Sequence, residues 1–178
     1  ALIPRHETER LVEIVIESVG ESFKGKILDL GTGSGAIVLA LCKQLREAIG
    51  LGLDKSGEAI SLSRENVCLL GLAGRVSFQK FDWMQEEYKQ EKVDILISNP
   101  PYLGLEEWKS AEPEVYKHDP KDALVSAEDG LAHLRKILDL SKHALKKDGQ
   151  IFLEVGMGQA DKVMEMMKDI SVSYTHLT

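Results

Sequence analysis

The sequence predicts a doubly wound α/β domain, in which helices cover both faces of a mostly parallel sheet. Short apolar segments alternate with amphipathic helical segments along the chain, and several of the short segments are apolar on both faces. The glycine-rich and polar motifs all follow the ends of predicted strands. Because folds of this class bind ligands outside the carboxyl ends of their strands, the functional site is expected at that edge of the sheet.

The first half of the chain is predicted to run helix, strand, helix, strand, helix. The pattern begins with apolar residues at helical spacing and continues with two apolar strands, the first ending at glycines and the second at Asp54. Ser56 is the predicted N-cap of the third helix, and Gly71 is expected to end it. The elements are expected at residues 11–19, 26–30, 36–45, 48–53 and 57–70.

The second half is predicted to add three strands and two helices. Strands are expected at 75–81, 93–98 and 151–155, and a final helix at 159–169. A helix carrying Leu131, Leu134, Leu138 and Leu145 is expected to stop at Gly149. Residues 103–130 lack periodicity, and a loop of that length beside a motif favours a substrate-facing role.

Composition excludes several classes of protein. The 178 residues suit one domain, and no apolar run approaches the ~20 residues that span a bilayer. A net charge of −7 argues against a basic nucleic-acid-binding face, so nucleic acid is not expected as the direct substrate. Cys42 and Cys68 lie in predicted helices without metal-ligand spacing, so we expect two buried thiols and no metal site.

A glycine turn follows the first strand. Gly31, Gly33 and Gly35 allow a tight turn, and the amides of the next helix point at whatever binds there. Asp54 ends the next strand, where a carboxylate can accept both hydroxyls of a ribose. These residues fit a nicotinamide or flavin cofactor as well as S-adenosylmethionine. Asp82 and Trp83 end the third strand and suit an adenine, although Trp83 is equally compatible with a core position.

The motif Asn99-Pro100-Pro101-Tyr102 separates these alternatives. Two prolines remove two backbone donors, so the loop presents carbonyl oxygens. The Asn99 side-chain oxygen and the Pro100 carbonyl can each accept a hydrogen from a planar NH2 group, and Tyr102 offers a face for stacking. Such bonds favour the pyramidal nitrogen of a methyl-transfer transition state, which predicts methylation of an amide or an aromatic amine.

These residues resemble the amino-methyltransferases that carry an (Asp/Asn)-Pro-Pro-(Tyr/Phe/Trp) motif. Within that group the chain is similar to the HemK-type peptide chain release factor N5-glutamine methyltransferases. The segments that carry the resemblance are residues 2–9, 29–35, 82–83, 99–102 and 114–131.

The resemblance implies a Rossmann-like S-adenosylmethionine-dependent fold and a glutamine of a release factor's Gly-Gly-Gln motif as the target. It implies a catalytic domain over 1–170, with an entry motif and helix at 1–25 and a core at 26–170. Residues 171–178 are expected to be a foreign or truncated tail, and the sheet is expected to lack its last one or two strands. The implied catalytic residues are Asn99, Pro100 and Tyr102, and Pro101 joins them in binding the substrate. The implied cofactor-binding residues are Asp29, Gly31, Thr32, Gly33, Ser34, Gly35, Asp54, Asp82, Trp83 and Asn99.

Two alternatives stay open at this point. An adenine-N6 or guanine-N2 methyltransferase would use the same NH2 chemistry on DNA or RNA, and a non-catalytic relative would bind only cofactor or partner. We expect a monomer without membrane association. The segment around Asp54 resembles the animal mitochondrial branch, which implies the mitochondrial matrix for a eukaryotic chain and the cytoplasm for a bacterial one.

Overall fold

The computed structural model describes residues 6–101, 130–156 and 158–168. Their elements follow the predicted alternation of helices and strands. In chain order they are α1 (His6–Val19), β1 (Lys26–Leu30), α2 (Ala36–Gln44), β2 (Ile49–Asp54), α3 (Gly57–Leu69), β3 (Val76–Lys80), β4 (Val93–Ser98), α4 (Ala132–Ala144), β5 (Leu145–Leu153) and α5 (Ala160–Met167).

The described strands form one parallel sheet in the order β3-β2-β1-β4-β5. The chain starts at the middle of the sheet, moves outward through β2 and β3, and returns to the other side of β1 with β4. Loops that follow β1 and β4 therefore leave the same edge of the sheet as direct neighbours. This arrangement confirms the doubly wound fold, and the described part of the chain contains five of its strands.

Both faces of the sheet are buried, as the apolar strands predicted. Ile27 and Ile95 pack into a core with α1, α2 and α3, whereas Leu28 and Leu96 pack into a second core with α4 and α5. Because successive strand residues point to opposite faces, a strand covered on both sides needs apolar residues at both alternating sets of positions. The two cores hold the strand ends in place.

The third helix begins as predicted and corrects one expectation. The Ser56 hydroxyl accepts a hydrogen bond of 3.2 Å from the Ala59 amide, which confirms the N-cap. The free thiol of Cys42 is buried, but that of Cys68 is exposed, so the prediction of two buried thiols was wrong for Cys68. Val67 is the inward residue of that turn, and the next position is rotated by about 100° away from the core.

The fifth strand also corrects the sequence-based prediction. Leu145 is its first residue and not the end of the preceding helix, and Gly149 lies inside it and does not stop the helix. The register slips here, because Val93 pairs with Leu145 but Ile95 pairs with Gln150. A Cβ atom at position 149 would lie 3.2 Å from the Asp94 carbonyl oxygen. Gly149 therefore marks a place where β5 and β4 approach each other closely.

Candidate functional site

The glycine turn connects β1 to α2 in a left-handed conformation. Gly31, Gly33 and Gly35 have φ angles of 74°, 55° and 83°, which side-chain-bearing residues rarely adopt. The amides of Gly31 and Thr32 both donate to the carbonyl of Leu53, at 2.8 and 3.0 Å. The turn is thus fastened to the end of the neighbouring strand, and its glycines are required by the backbone geometry.

Asp54 ends β2 beside this turn, and its carboxylate is already oriented. Its Oδ2 accepts the Gly33 amide at 2.9 Å, and its Oδ1 accepts the Ser56 amide at 2.8 Å. The side chain is only half-buried, and each carboxylate oxygen keeps a second acceptor position. The predicted ribose acid therefore joins the turn to the start of α3 while it retains capacity for a ligand.

Asp29 lies beneath the turn and is fully buried. Its Oδ2 accepts the Thr32 hydroxyl at 2.7 Å, whereas Oδ1 has no hydrogen-bond partner of ordinary geometry among the described residues. Burial raises the pKa of Asp29 to about 7, the Thr32 hydroxyl and the nearby Val38 amide oppose that rise, and the Asp54 carboxylate adds to it. The Asp29 carboxylate therefore makes its hydrogen bond within the protein, to the Thr32 hydroxyl of the turn.

Trp83 borders the turn from the end of β3. Its ring is only 4% exposed and belongs to the core beneath α4, and its Nε1 has no hydrogen-bond partner among the residues described. A methyl group placed on Gly31 would lie 3.2 Å from the ring. Asp82 accepts hydrogen bonds from the Met84 amide and the Gln85 side chain, at 3.0 and 2.9 Å, so it closes a local turn.

The polar motif after β4 reaches the same place. The Asn99 carbonyl oxygen lies 4.0 Å from the position that a methyl group on Gly31 would occupy. Pro100 and Pro101 are buried behind it. The Ser98 hydroxyl donates to the Leu30 carbonyl at 2.6 Å, which ties the end of β4 to the end of β1. Tyr102 and the predicted substrate-facing loop lie outside the described residues.

The structure thus brings four predicted strand ends together. Gly31 stands between Trp83 and Asn99, and the Asp54 carboxylate holds the same turn from the other side. The open groove on the outer side of α3, lined by Ser61, Arg64, Glu65, Cys68 and Leu69, contains none of the predicted site residues. The candidate site is therefore the space at the glycine turn.

Comparison with known families agrees with this geometry. Residues 22–175 match the family model described as a methyltransferase domain. The chain belongs to this methyltransferase domain family. The glycine turn, together with Asp54 at the end of β2 and Asn99 after β4, is consequently part of a methyltransferase domain.

Curated relatives of this methyltransferase domain carry a more specific name. A protein of Streptococcus pneumoniae named release factor glutamine methyltransferase is 40% identical over 167 residues, which cover 94% of this chain and 58% of that protein. One of Bacillus cereus with the same name is 36% identical over 171 residues, covering 94% of this chain and 60% of the relative. The chain therefore spans about 60% of the length of these relatives.

Solved structures show the same fold at low sequence identity. TrmN from Thermus thermophilus aligns with a TM-score of 0.64 at 18% identity, over 87% of this chain and 40% of that one. A ribosomal protein L11 methylase from Lactobacillus delbrueckii subsp. bulgaricus aligns with a TM-score of 0.63 at 22% identity, over 94% of this chain and 69% of the other. These likenesses support the Rossmann-like sheet of the methyltransferase domain.

Several residues that shape the domain's site were not singled out from the sequence. Gly52 pairs with Asp29 on the neighbouring strand, and a methyl group there would stand 2.6 Å from the Thr32 hydroxyl and 2.5 Å from the Phe78 ring. His133, at the start of α4, packs edge-on against Trp83 with 5.7 Å between ring centres. Burial lowers the pKa of His133, and the charge of Lys55 lowers it further. The sequence carries a signal for Gly52, because this glycine interrupts an apolar strand, but it carries none for His133.

The described part of the methyltransferase domain contains neither a candidate metal cluster nor a candidate membrane-spanning helix. No group of three or more His, Cys, Asp or Glu side chains there is arranged to hold a metal ion. Of the helices in the described ranges, none combines the length and the apolar character needed to cross a membrane.

Proposed function

We propose that this chain is the catalytic domain of a protein-glutamine N5-methyltransferase. The proposed reaction moves a methyl group from S-adenosylmethionine to the side-chain amide of the glutamine in the Gly-Gly-Gln motif of a peptide chain release factor. The observation that carries it is the approach of Asn99 to Gly31, which joins a carbonyl-rich loop to the glycine turn. The name shared by the curated relatives supports the release factor as substrate.

The residues around the turn fit S-adenosylmethionine. The space that a side chain on Gly31 would fill, between Trp83 and the Asn99 carbonyl, is kept open by the absence of a Cβ. Asp54 would hold the ribose, the turn from Gly31 to Gly35 would receive the rest of the cofactor, and the Trp83 ring would border the base. When bound, the cofactor supplies an electrophilic methyl group on its sulfonium. Asp29 and Asp82 remain proposed contacts, and their hydrogen bonds to Thr32 and Met84 support the loops that line this space.

Asn99 and Pro100 supply the substrate side of the proposed chemistry. An amide nitrogen is a poor nucleophile because its lone pair is delocalised. The Asn99 side-chain oxygen and the Pro100 carbonyl would each accept one of its hydrogens, with Pro101 shaping the loop and Tyr102 stacking on the flat group. These bonds favour the pyramidal nitrogen of the transition state over the flat ground state. The nitrogen loses its proton readily once methylated, so the proposal assigns no strong base.

The remaining expectations stay proposals. They comprise a catalytic domain over 1–170 with a separate tail at 171–178, a monomer, and a mitochondrial matrix or bacterial cytoplasmic location according to the source. The relatives compared above are bacterial. A nucleic-acid substrate is not favoured, because the net charge is −7 and those relatives are named for a release factor.

Transfer of labelled methyl groups tests the proposed function. The wild-type chain is expected to label a release factor but not the variant in which the Gly-Gly-Gln glutamine is alanine. Asn99→Ala should lower kcat by about 100-fold or more, because one stabilising acceptor is lost. Asn99→Asp keeps the acceptor oxygen and should retain more activity than Asn99→Ala. Label on the alanine-containing release factor, or on DNA or RNA instead, would contradict the proposal.

A further inference from the structure

One side chain of α3 reaches the glycine turn itself. The Asn66 side-chain amide donates a hydrogen bond of 2.9 Å to the carbonyl of Ser34, a residue 32 positions earlier in the chain. Ser34 lies between two glycines in the left-handed conformation, Gly33 and Gly35. The bond therefore acts on the most easily deformed part of the turn.

Side chains from outside the turn hold three of its successive residues. Each tie reaches the turn from a different strand or helix: Asp29 of β1 holds the Thr32 hydroxyl, Asp54 of β2 the Gly33 amide, and Asn66 of α3 the Ser34 carbonyl. Glycine loses more conformational freedom than any other residue when it is ordered. A turn that is ordered before binding spares the ligand that cost, so each tie raises affinity for whatever the turn binds.

The Ser34 tie differs from the other two in its chemistry. Asp29 and Asp54 are acceptors for groups of the turn, whereas Asn66 is a donor to a backbone carbonyl. With the carbonyl directed onto α3, the peptide that joins Ser34 to Gly35 keeps one orientation, and the Gly35 amide donates to the Thr32 carbonyl at 2.8 Å. Without the tie, that peptide keeps only the bond from the Gly35 amide to Thr32, and the adjoining left-handed Gly35 resists rotation less than a residue with a side chain would.

We infer that Asn66 is a positioning residue of the cofactor site, which holds the Ser34 carbonyl and thereby keeps the glycine turn in its binding shape. The inference rests on the proposed function, because the shape of the turn affects affinity only if the turn binds the cofactor. Asn66 acts through Ser34 and touches neither reacting atom. Its loss should therefore weaken cofactor binding more than it slows the chemical step.

The chain offers a matched control on the same helix. The Arg64 guanidinium donates at 2.9 Å to the Phe78 carbonyl, so it ties α3 to β3 and not to the turn. Arg64→Met removes a hydrogen bond of comparable length from α3 but leaves the Ser34 carbonyl paired. A general loosening of α3 would affect both variants, whereas a specific effect on the turn would appear only at Asn66.

The test compares Asn66→Asp, Asn66→Ala and Arg64→Met in the full chain. Asn66→Asp has the same shape but places an acceptor against the Ser34 carbonyl. Its Kd for S-adenosylmethionine, measured by calorimetry, should rise by about tenfold, with a similar rise in KM and a smaller change in kcat. Asn66→Ala should show the same direction with a smaller rise, and it replaces Asn66→Asp if that variant does not fold. Arg64→Met should bind within about twofold of wild type.

Amide hydrogen exchange without cofactor separates the possible outcomes. The Gly35 amide should exchange faster in the Asn66 variants than in Arg64→Met. Unchanged affinity in the Asn66 variants, or equal weakening in Arg64→Met, would overturn the inference. Absence of cofactor binding by the wild-type chain would instead refute the proposed function. In that case the exchange rates would still decide whether Asn66 holds the turn.

Discussion

At the scale of single residues, Asp29 shows how a buried carboxyl group can support a turn. Its carboxyl group is fully buried, its pKa is raised to about 7 mainly by burial, and one oxygen holds the Thr32 hydroxyl. Unfolded aspartate has a pKa of about 3.9, so the folded chain keeps this proton over a range in which the unfolded chain has lost it. Ionising Asp29 therefore opposes folding.

Asp29→Asn is predicted to change how stability depends on pH. Between about pH 4 and pH 7 the folded wild-type chain binds more protons at this site than the unfolded chain, so its stability from this group falls as pH rises. Asparagine cannot ionise, and the variant should lack this slope. Urea unfolding from pH 5 to pH 8 should show the free energy of unfolding of the variant rising relative to wild type. Parallel curves would mean that Asp29 titrates alike in both states.

At the scale of elements, the slip between β4 and β5 is held by Asp94. Its carboxylate accepts the Lys26 amide at 2.7 Å and the Lys146 ammonium at 2.9 Å, so it joins β1, β4 and β5. Burial alone would raise the pKa of Asp94, but the Lys26 and Lys146 hydrogen bonds hold it below its ordinary value. This ionised group sits where β5 departs from regular pairing with β4.

Asp94→Asn is predicted to lower the free energy of unfolding by about 1.5–3 kcal/mol at pH 7, the range for hydrogen bonds to charged groups. The folded pKa lies below the unfolded value, so the contribution is complete above about pH 4 and is lost as pH falls through the folded pKa. The difference between variant and wild type should therefore shrink in acid. Denaturant titrations at pH 7 and pH 3 measure it, with exposed Asp161→Asn as the control. A difference that persists at pH 3 would contradict the electrostatic account.

At the scale of the whole molecule, strand order determines where the site forms. The order in which strands are added to the sheet reverses between β1 and β4, and the helices that follow these two strands in the described chain, α2 and α4, lie on opposite faces of the sheet. The glycine turn and Asn99 follow these two strands and meet there. Residues some 70 positions apart in sequence are thereby brought within contact distance.

S-adenosylhomocysteine is predicted to raise the melting temperature of the chain, because a ligand that binds only the folded state stabilises it. At a concentration of 100 times Kd the gain is about 2.7 kcal/mol, or roughly 5 °C or more. Asp54→Ala removes the acceptor that holds Gly33 and Ser56 and should reduce the shift. Asp161→Ala, an exposed substitution with the same change of charge, should keep it. Equal shifts in both variants, measured by differential scanning fluorimetry, would remove Asp54 from the proposed site.

Much of the fold was predictable because its determinants are local. Strands β1 and β4 were predicted at their observed bounds, since a strand covered on both sides carries apolar residues on both faces, and the Ser56 cap needs only the residues after it. The start of β5 was not predictable. Leu145 continues the helical spacing of Leu138, and only its pairing with Val93 makes it a strand residue. The prediction that Cys68 is buried failed for a similar reason, because how far the core extends beneath α3 depends on the tertiary structure.

The strand-and-helix alternation, the glycine turn and the motif at the end of β4 can be inferred from the sequence, because each depends on backbone preferences and spacing within a short segment. Which groups meet depends on the folded chain: Asn99 lies near Gly31, Asn66 bonds to Ser34, and Trp83 packs against His133. Those contacts join distant parts of the chain, and their geometry depends on strand order and helix packing. A hydrogen bond needs its partner within about 3 Å, and no local pattern specifies that distance.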